Sequence, residues 1–186
     1  MEFIYRAFDI DETIPVASVI SRRKLLKYFN RETMASVLTA SEFLTGKNLP
    51  SYIPFYYASA EMENLDGLKS LEPCISGCSF DVSKILPAVS TLDSFKTMRN
   101  MVSCFVAIEN GLRGDNNNII DSASALLYCA ITAPTSGPVL LGAGRLHEDG
   151  RVECGFATGL PSEWEGHPLL GSEDCAVEIF RMGVWR

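Results

Sequence analysis

A four-residue turn at positions 121–124, with the sequence Asp-Ser-Ala-Ser, has the residue types and the setting of a nucleophile site. Ile119 and Ile120 start a short strand before it, and the apolar segment from Ala125 to Ala133 predicts a helix after it. Many enzymes place a nucleophile at such a strand-to-helix turn, because the helix N-terminus favours negative charge. Its two serines are candidate nucleophiles, but the sequence identifies no general base for either.

A second pattern is a positive patch on an acidic chain whose formal net charge is -7. The patch consists of Arg22, Arg23, Lys24 and Lys27. One interpretation is a solvated helix face that serves solubility. The other is a docking surface for an acidic partner, whose association would be sensitive to salt.

Other polar groupings are weak candidates for metal or cofactor sites. Cys74 and Cys78 have no second cysteine pair, whereas structural zinc needs four ligands. The acidic run at 9–12 lacks the Gly and the distal Glu of a calcium loop. Gly142-x-Gly144 does not open a helix, so it fails the context of a dinucleotide fingerprint and is expected to allow close strand packing. The sequence therefore predicts neither a metal nor a cofactor.

Length and composition bound the remaining possibilities. The chain has 186 residues, 47% of them hydrophobic, which predicts a single domain over 1–186. The acidic net charge argues against a nucleic-acid partner. No apolar run approaches the roughly 20 residues that cross a bilayer, and the N-terminus lacks a signal-peptide pattern, so we expect no membrane span and a cytoplasmic protein. The six cysteines are expected to be reduced core thiols.

Hydrophobic periodicity predicts the elements that must position the turn. Apolar residues at three- and four-residue spacing predict long helices, and alternating or short apolar runs predict strands. The predicted helices are 31–44, 64–71, 82–86, 95–108 and 125–133, and the predicted strands are 3–7, 55–60, 119–120, 139–146, 151–158 and 175–184, with a polar loop at 115–118. Helices between strands and a tight hairpin near the end predict an α/β fold with a mixed five-stranded sheet flanked by helices.

Four segments together resemble the N-terminal half of the β-ketoacyl synthases, the condensing enzymes of fatty-acid and polyketide assembly. They are SRRKLLKYFNRETMASVLTASEFL, YYASAEMENLDGL, LDSFKTMRNMVSCFVAIENGLRGDN and PVLLGAGRL, and they cover most of residues 20–160. The resemblance implies that the α/β sheet is a thiolase-like half-fold.

The turn departs from the pattern of this family. Condensing enzymes carry a cysteine at the head of the helix, in a Thr-Ala-Cys-Ser or similar turn, and Ala123 stands in its place here. A methyl group cannot attack a thioester. The family's catalytic histidines lie in its C-terminal half, and His147 and His167 here are predicted to be solvated loop residues. The degenerate nucleophile turn thus consists of Asp121, Ser122, Ala123 and Ser124.

The resemblance implies a non-catalytic protein comparable to chain-length factors, acting in fatty-acid or polyketide-type biosynthesis. Its implied partners are a second copy, a full-length synthase and an acyl carrier protein docked on the positive patch. Two alternatives stay open: an acyl-thioester transferase or hydrolase that uses Ser122 or Ser124, and an α/β module unrelated to acyl chemistry.

The central helix gives a reason to expect association. Its apolar face is wider than one sheet contact needs, so we expect a partner to bury part of it. The residues of this face are Met98, Met101, Val102, Phe105, Val106 and Ile108.

Overall fold

The computed structural model describes residues 1–60, 75–76, 79–80 and 98–184. The predicted helices at 64–71 and 82–86, the start of the predicted helix 95–108, and both Cys74 and Cys78 lie outside the described residues. The free thiols of the described part are Cys104, Cys129, Cys154 and Cys175, of which Cys154 is buried.

Helices and strands alternate along most of the described chain. The strands are β1 (Glu2–Phe8), β2 (Phe55–Ser59), β3 (Ile75–Ser76), β4 (Ser79–Phe80), β5 (Asn116–Ile120), β6 (Val139–Leu146) and β7 (Val152–Gly159). The helices are α1 (Arg31–Leu44), α2 (Asn100–Asn110), α3 (Ala123–Ile131) and α4 (Val177–Val184), with 3-10 turns at Val16–Ser18, Arg23–Tyr28 and Pro161–Glu163.

Five strands form one mixed sheet in the order β1-β7-β6-β2-β5. β2 pairs in parallel with both β5 and β6, whereas β7 pairs antiparallel with β6 and β1. The tight turn between β6 and β7 has Gly150 at a φ of +85°, a conformation that glycine adopts without strain. The predicted α/β class with a mixed five-stranded sheet flanked by helices is confirmed.

One face of the sheet is covered by α1 and α2. α1 begins where the Asn30 side chain accepts a hydrogen bond from the Thr33 amide at 2.7 Å. The rings of Phe29 and Phe105 pack with centroids 4.7 Å apart. α1 therefore shields much of the α2 face for which we expected a partner, and of its residues Met98 and Ile108 stay exposed.

The opposite face is covered by α3 and α4. α3 buries Leu126 and Leu127, and α4 buries Ile179 and Phe180. Phe180 packs so closely on β7 that a side chain at Gly155 would overlap its Cβ atom. The sheet is thus buried between two helical layers, as its largely apolar strands require.

The prediction of a last strand at 175–184 is wrong, because Val177–Val184 forms α4. The buried residues at its start are Ala176, Val177, Ile179 and Phe180. Counted from Ala176, the other three lie one, three and four positions later, which is the spacing of one helical face. Every second residue, Val177, Ile179 and Arg181, also fits one face of a strand, because the segment is too short to separate the two periods.

Two boundaries near the turn also differ from prediction. Asn116, Asn117 and Asn118 belong to β5 rather than to a loop, since each pairs with a residue of β2. Asparagine is uncommon in strands, but the ladder to β2 overrides this weak preference at a sheet edge. α3 begins at Ala123, two residues earlier than predicted, because Ser122 caps it.

Candidate functional site

The degenerate turn lies at the carboxyl ends of the parallel strands β2 and β5. α2, which precedes β5, packs with α1 on one face, while α3, which follows β5, packs on the other. In α/β sheets, ligands bind outside the carboxyl ends of strands where connections pass to opposite faces. The turn therefore stands at the position where this architecture places functional sites.

Every residue of the turn is used in local or tertiary hydrogen bonding. Ser122 caps α3 by accepting from the Ala125 amide at 3.2 Å. Three further hydrogen bonds join the turn to the segment 171–176. Asp121 Oδ1 accepts from the Ala176 amide at 2.8 Å, and Ser124 Oγ accepts from the Gly171 amide at 2.9 Å. The Ala123 amide donates to the Asp174 carbonyl at 2.9 Å. Ala123 itself is fully buried.

The two candidate nucleophiles have no activating partner. Among the described residues, neither the Ser122 nor the Ser124 hydroxyl donates to a histidine or a carboxylate. Activation of serine requires a base within hydrogen-bond reach. The geometry supports a structural role for both serines.

Cys175 is the thiol beside this turn. Its burial and the nearby Asp121 carboxylate raise the pKa of the thiol, an effect that Arg145 only partly offsets. The reactive form of cysteine is the thiolate. Cys175 is therefore not prepared to replace the missing nucleophile.

His147 is not a solvated residue, so that prediction is wrong for it. Only 22% of its side chain is exposed, and its Nε2 lies 2.8 Å from Glu153 Oε2. The second oxygen of Glu153 accepts from Tyr5 at 2.6 Å and from Arg181 at 2.7 Å. Burial alone would raise the pKa of Glu153, but the hydrogen bonds from Tyr5 and His147 and the charge of Arg181 outweigh it and lower the pKa to about 2.

This network joins α4 to β1 and β7 and leaves His147 committed to Glu153. The other histidine, His167, accepts a hydrogen bond at Nδ1 from the Leu169 amide at 3.2 Å within its own loop.

On the opposite face, a buried polar cluster that sequence analysis missed lies over the carboxyl end of the sheet. Glu32 is 2% exposed, and its Oε1 accepts from the Tyr57 hydroxyl at 3.0 Å. The Tyr57 hydroxyl lies 2.8 Å from Ser36 Oγ. Burial raises the pKa of Glu32 to about 7, although the bond from Tyr57 works against this rise. A signal was present, since Glu32, Ser36 and Thr39 recur at helical spacing on the core face of α1.

Gly144 of β6 makes room for this cluster. A Cβ atom there would overlap the Tyr57 hydroxyl and lie 2.7 Å from Glu32 Oε1. The neighbouring Gly142 likewise packs against the ring of Phe156. The expected close packing at Gly142-x-Gly144 is confirmed.

The predicted positive patch is exposed and lies on and beside the 3-10 turn Arg23–Tyr28. Lys27 Nζ sits 4.8 Å from the centre of the Tyr28 ring. Arg22, Arg23, Lys24 and Lys27 make no ion pair within the described part of the chain. Their charges are therefore available to an acidic partner.

The described residues hold no group of three or more histidines, cysteines or carboxylates that could bind a metal ion. None of their helices combines the length and apolar character that crossing a bilayer demands. No protein-family model matches the chain, and a search of curated proteins finds no significant match.

Proposed function

We propose that this protein is a non-catalytic relative of the β-ketoacyl synthases that acts as a partner subunit in fatty-acid or polyketide-type biosynthesis. One observation carries the proposal: the turn at the head of α3 has a buried Ala123 and uses its polar groups to hold residues 171–176. A turn built in this way stabilises the fold, and among the described residues its two serine hydroxyls have no base that could activate them to attack a thioester.

The test is incubation with acyl-thioesters followed by intact-mass measurement. We expect no acyl adduct on the parent protein. A covalent adduct that disappears in Ser122→Ala or Ser124→Ala would overturn the proposal and select the acyl-transferase or hydrolase alternative. An adduct that is lost only in Cys175→Ser would overturn it through a different nucleophile.

The positive patch supports an acyl carrier protein as a partner. Four exposed cations without ion pairs among the described residues match the acidic surface that carrier proteins present. Lys24→Glu should weaken binding of a carrier protein several-fold, and added salt should weaken binding to the parent protein. Arg113→Glu is the control, because it reverses one exposed charge that is not part of the patch.

The outer edge of β5 supports pairing with a second copy or with a full-length synthase. Among the described residues, β5 is the outermost strand of the sheet and pairs only with β2. Exposed strand edges are templates for another chain. Ile120 on β5 adds exposed apolar surface at this edge. Lack of binding to carrier proteins and synthases alike would favour an α/β module unrelated to acyl chemistry.

A further inference from the structure

Two buried polar atoms near the carboxyl end of the sheet have no hydrogen-bond partner among the described residues. They are Ser59 Oγ at the end of β2 and Asn118 Oδ1 on β5. Ser59 as a whole is 1% exposed. A buried polar atom that stays unpaired costs roughly 1–3 kcal/mol, so most such atoms in folded proteins bind a protein group or an ordered water.

The sheet register places these two atoms on the same face. Tyr57 pairs directly with Asn118, and Ser59 pairs with Ile120. Because side chains alternate along a strand, Ser59 lies on the face of Tyr57, and so does Asn118. Ser59 and Asn118 are therefore diagonal neighbours on adjacent strands, with Cα atoms about 7–8 Å apart.

We propose that Ser59 and Asn118 bind one ordered water molecule beneath α1 and α2. The Asn118 oxygen only accepts hydrogen bonds, while the Ser59 hydroxyl both donates and accepts. A water between them can donate to Asn118 and exchange a second bond with Ser59, which satisfies both atoms. A buried water usually makes about three hydrogen bonds, and the Glu32 carboxyl is the nearby group with capacity for the third.

The position of Glu32 fits this arrangement. Gly144 is the β6 partner of Ser59, and Glu32 Oε1 occupies the space in front of Gly144. Two charges act on Glu32 in opposite directions: the Asp121 carboxylate raises its pKa and Arg99 lowers it. The water would connect β5 to β2 directly before the degenerate turn.

Ser59→Ala should change the melting temperature in opposite directions for a hydrated site and for a dry one. If Ser59 binds the water, its loss removes a partner of that water, and the melting temperature should fall by about 2–4 °C. If the hydroxyl is dry and unpaired, alanine relieves its desolvation and the melting temperature should rise. Ser103→Ala is the matched control, since Ser103 is a buried serine with a protein acceptor, the Asn100 carbonyl at 3.0 Å.

A high-resolution crystal structure of the parent protein provides the direct measurement. We expect density for one water within hydrogen-bond distance of Ser59 Oγ and Asn118 Oδ1, and its absence in Ser59→Ala. An empty position in the parent map, or a melting temperature of Ser59→Ala at or above that of the parent, would overturn the proposal.

Discussion

Glu32 is an acidic side chain that is buried between α1 and the sheet, where its carboxyl accepts a hydrogen bond from Tyr57. Its pKa of about 7 in the folded protein lies above the ordinary value of 4.5. The folded state therefore holds this proton more tightly than the unfolded state does. The stabilisation of the folded state by this protonated carboxyl is therefore complete below about pH 4.5 and is lost as the pH rises through about 7.

Glu32→Gln should flatten this pH dependence. Glutamine keeps an acceptor for the Tyr57 hydroxyl but cannot ionise. Between about pH 5 and about pH 8 the parent protein should lose on the order of 3 kcal/mol in the free energy of unfolding, and Glu32→Gln should not show this loss. Urea unfolding at both pH values measures it. Glu148→Gln, at an exposed hairpin carboxylate, should retain the parent slope. Equal slopes in Glu32→Gln and the parent would show that Glu32 does not cause the effect.

Gly144→Ala should destabilise the fold by about 1–3 kcal/mol, since its methyl group would overlap the Tyr57 hydroxyl and press on Glu32. Gly137→Ala is the control, because its nearest neighbour would be Thr135 Oγ1 at 3.5 Å. Chemical denaturation of both variants provides the comparison. If the two free energies of unfolding agree, Glu32 and Tyr57 pack loosely enough over β6 to accept the added methyl group.

Among the elements, α4 and the turn at 121–124 depend on each other. Asp121 Oδ1 accepts from the amide of Ala176, directly before α4, and Arg181 of α4 donates to Glu153 on β7. The turn thus holds the residue before α4, and β7 holds the helix itself at Arg181. Weakening one contact should loosen the start of α4 before it affects the strands.

Asp121→Ala should lower the free energy of unfolding by about 1–2 kcal/mol, because it removes the acceptor of a part-buried amide. It should also speed hydrogen exchange of the Ala176 amide. Asp121→Asn keeps an acceptor oxygen and should retain most of the protection. Equal loss of protection in both variants would mean that the charge of Asp121, rather than its hydrogen bond, holds this segment.

Local sequence patterns predicted the elements that are long enough to show a clear hydrophobic period or that end at a characteristic boundary residue. α1 and β6 have the predicted bounds, and Gly111 ends α2 with a φ of 65° as a C-cap glycine. α4 was missed because its apolar residues fit two periods over eight positions. β5 was mostly missed because its pairing with β2 depends on residues far away in the sequence.

The candidate site was predictable only in outline. The strand-to-helix turn could be recognised from the spacing of apolar and small residues. The hydrogen bonds between 121–124 and 171–176 could not be predicted, since the two segments lie some 50 residues apart and neither has a sequence pattern that points to the other. The burial of Glu32 could not be predicted either, because this α1 residue packs against Gly144 of β6 and Tyr57 of β2, which belong to two different strands.

At the scale of the whole molecule, the proposed association through β5 can be tested at single exposed residues. Phe105 is 3% exposed and packs on Phe29, so an aspartate there would test folding rather than association. Ile120 is the informative position, because it is 61% exposed on the edge strand.

Ile120→Asp should shift the protein from dimer to monomer at micromolar concentration in sedimentation velocity, since a charge on an edge strand opposes pairing. Ile10→Asp is the matched control: Ile10 is 60% exposed and follows β1 at the opposite edge of the sheet. A parent protein that sediments as a monomer alone and with a synthase would contradict association through β5. So would a dimer that both variants leave intact.

The pairing of β1 with β7 also determines the order in which the chain can fold during synthesis. β1 leaves the ribosome before its sheet partners, residues 152–158, and β2 must wait for 116–120 and 140–144. Until then the aromatic segment Phe55–Ser59 has no strand beside it. Such a nascent chain exposes aggregation-prone surface until those strands have been synthesised. Chaperone supply and translation speed should therefore limit the yield of folded protein more than the stability of the finished sheet does.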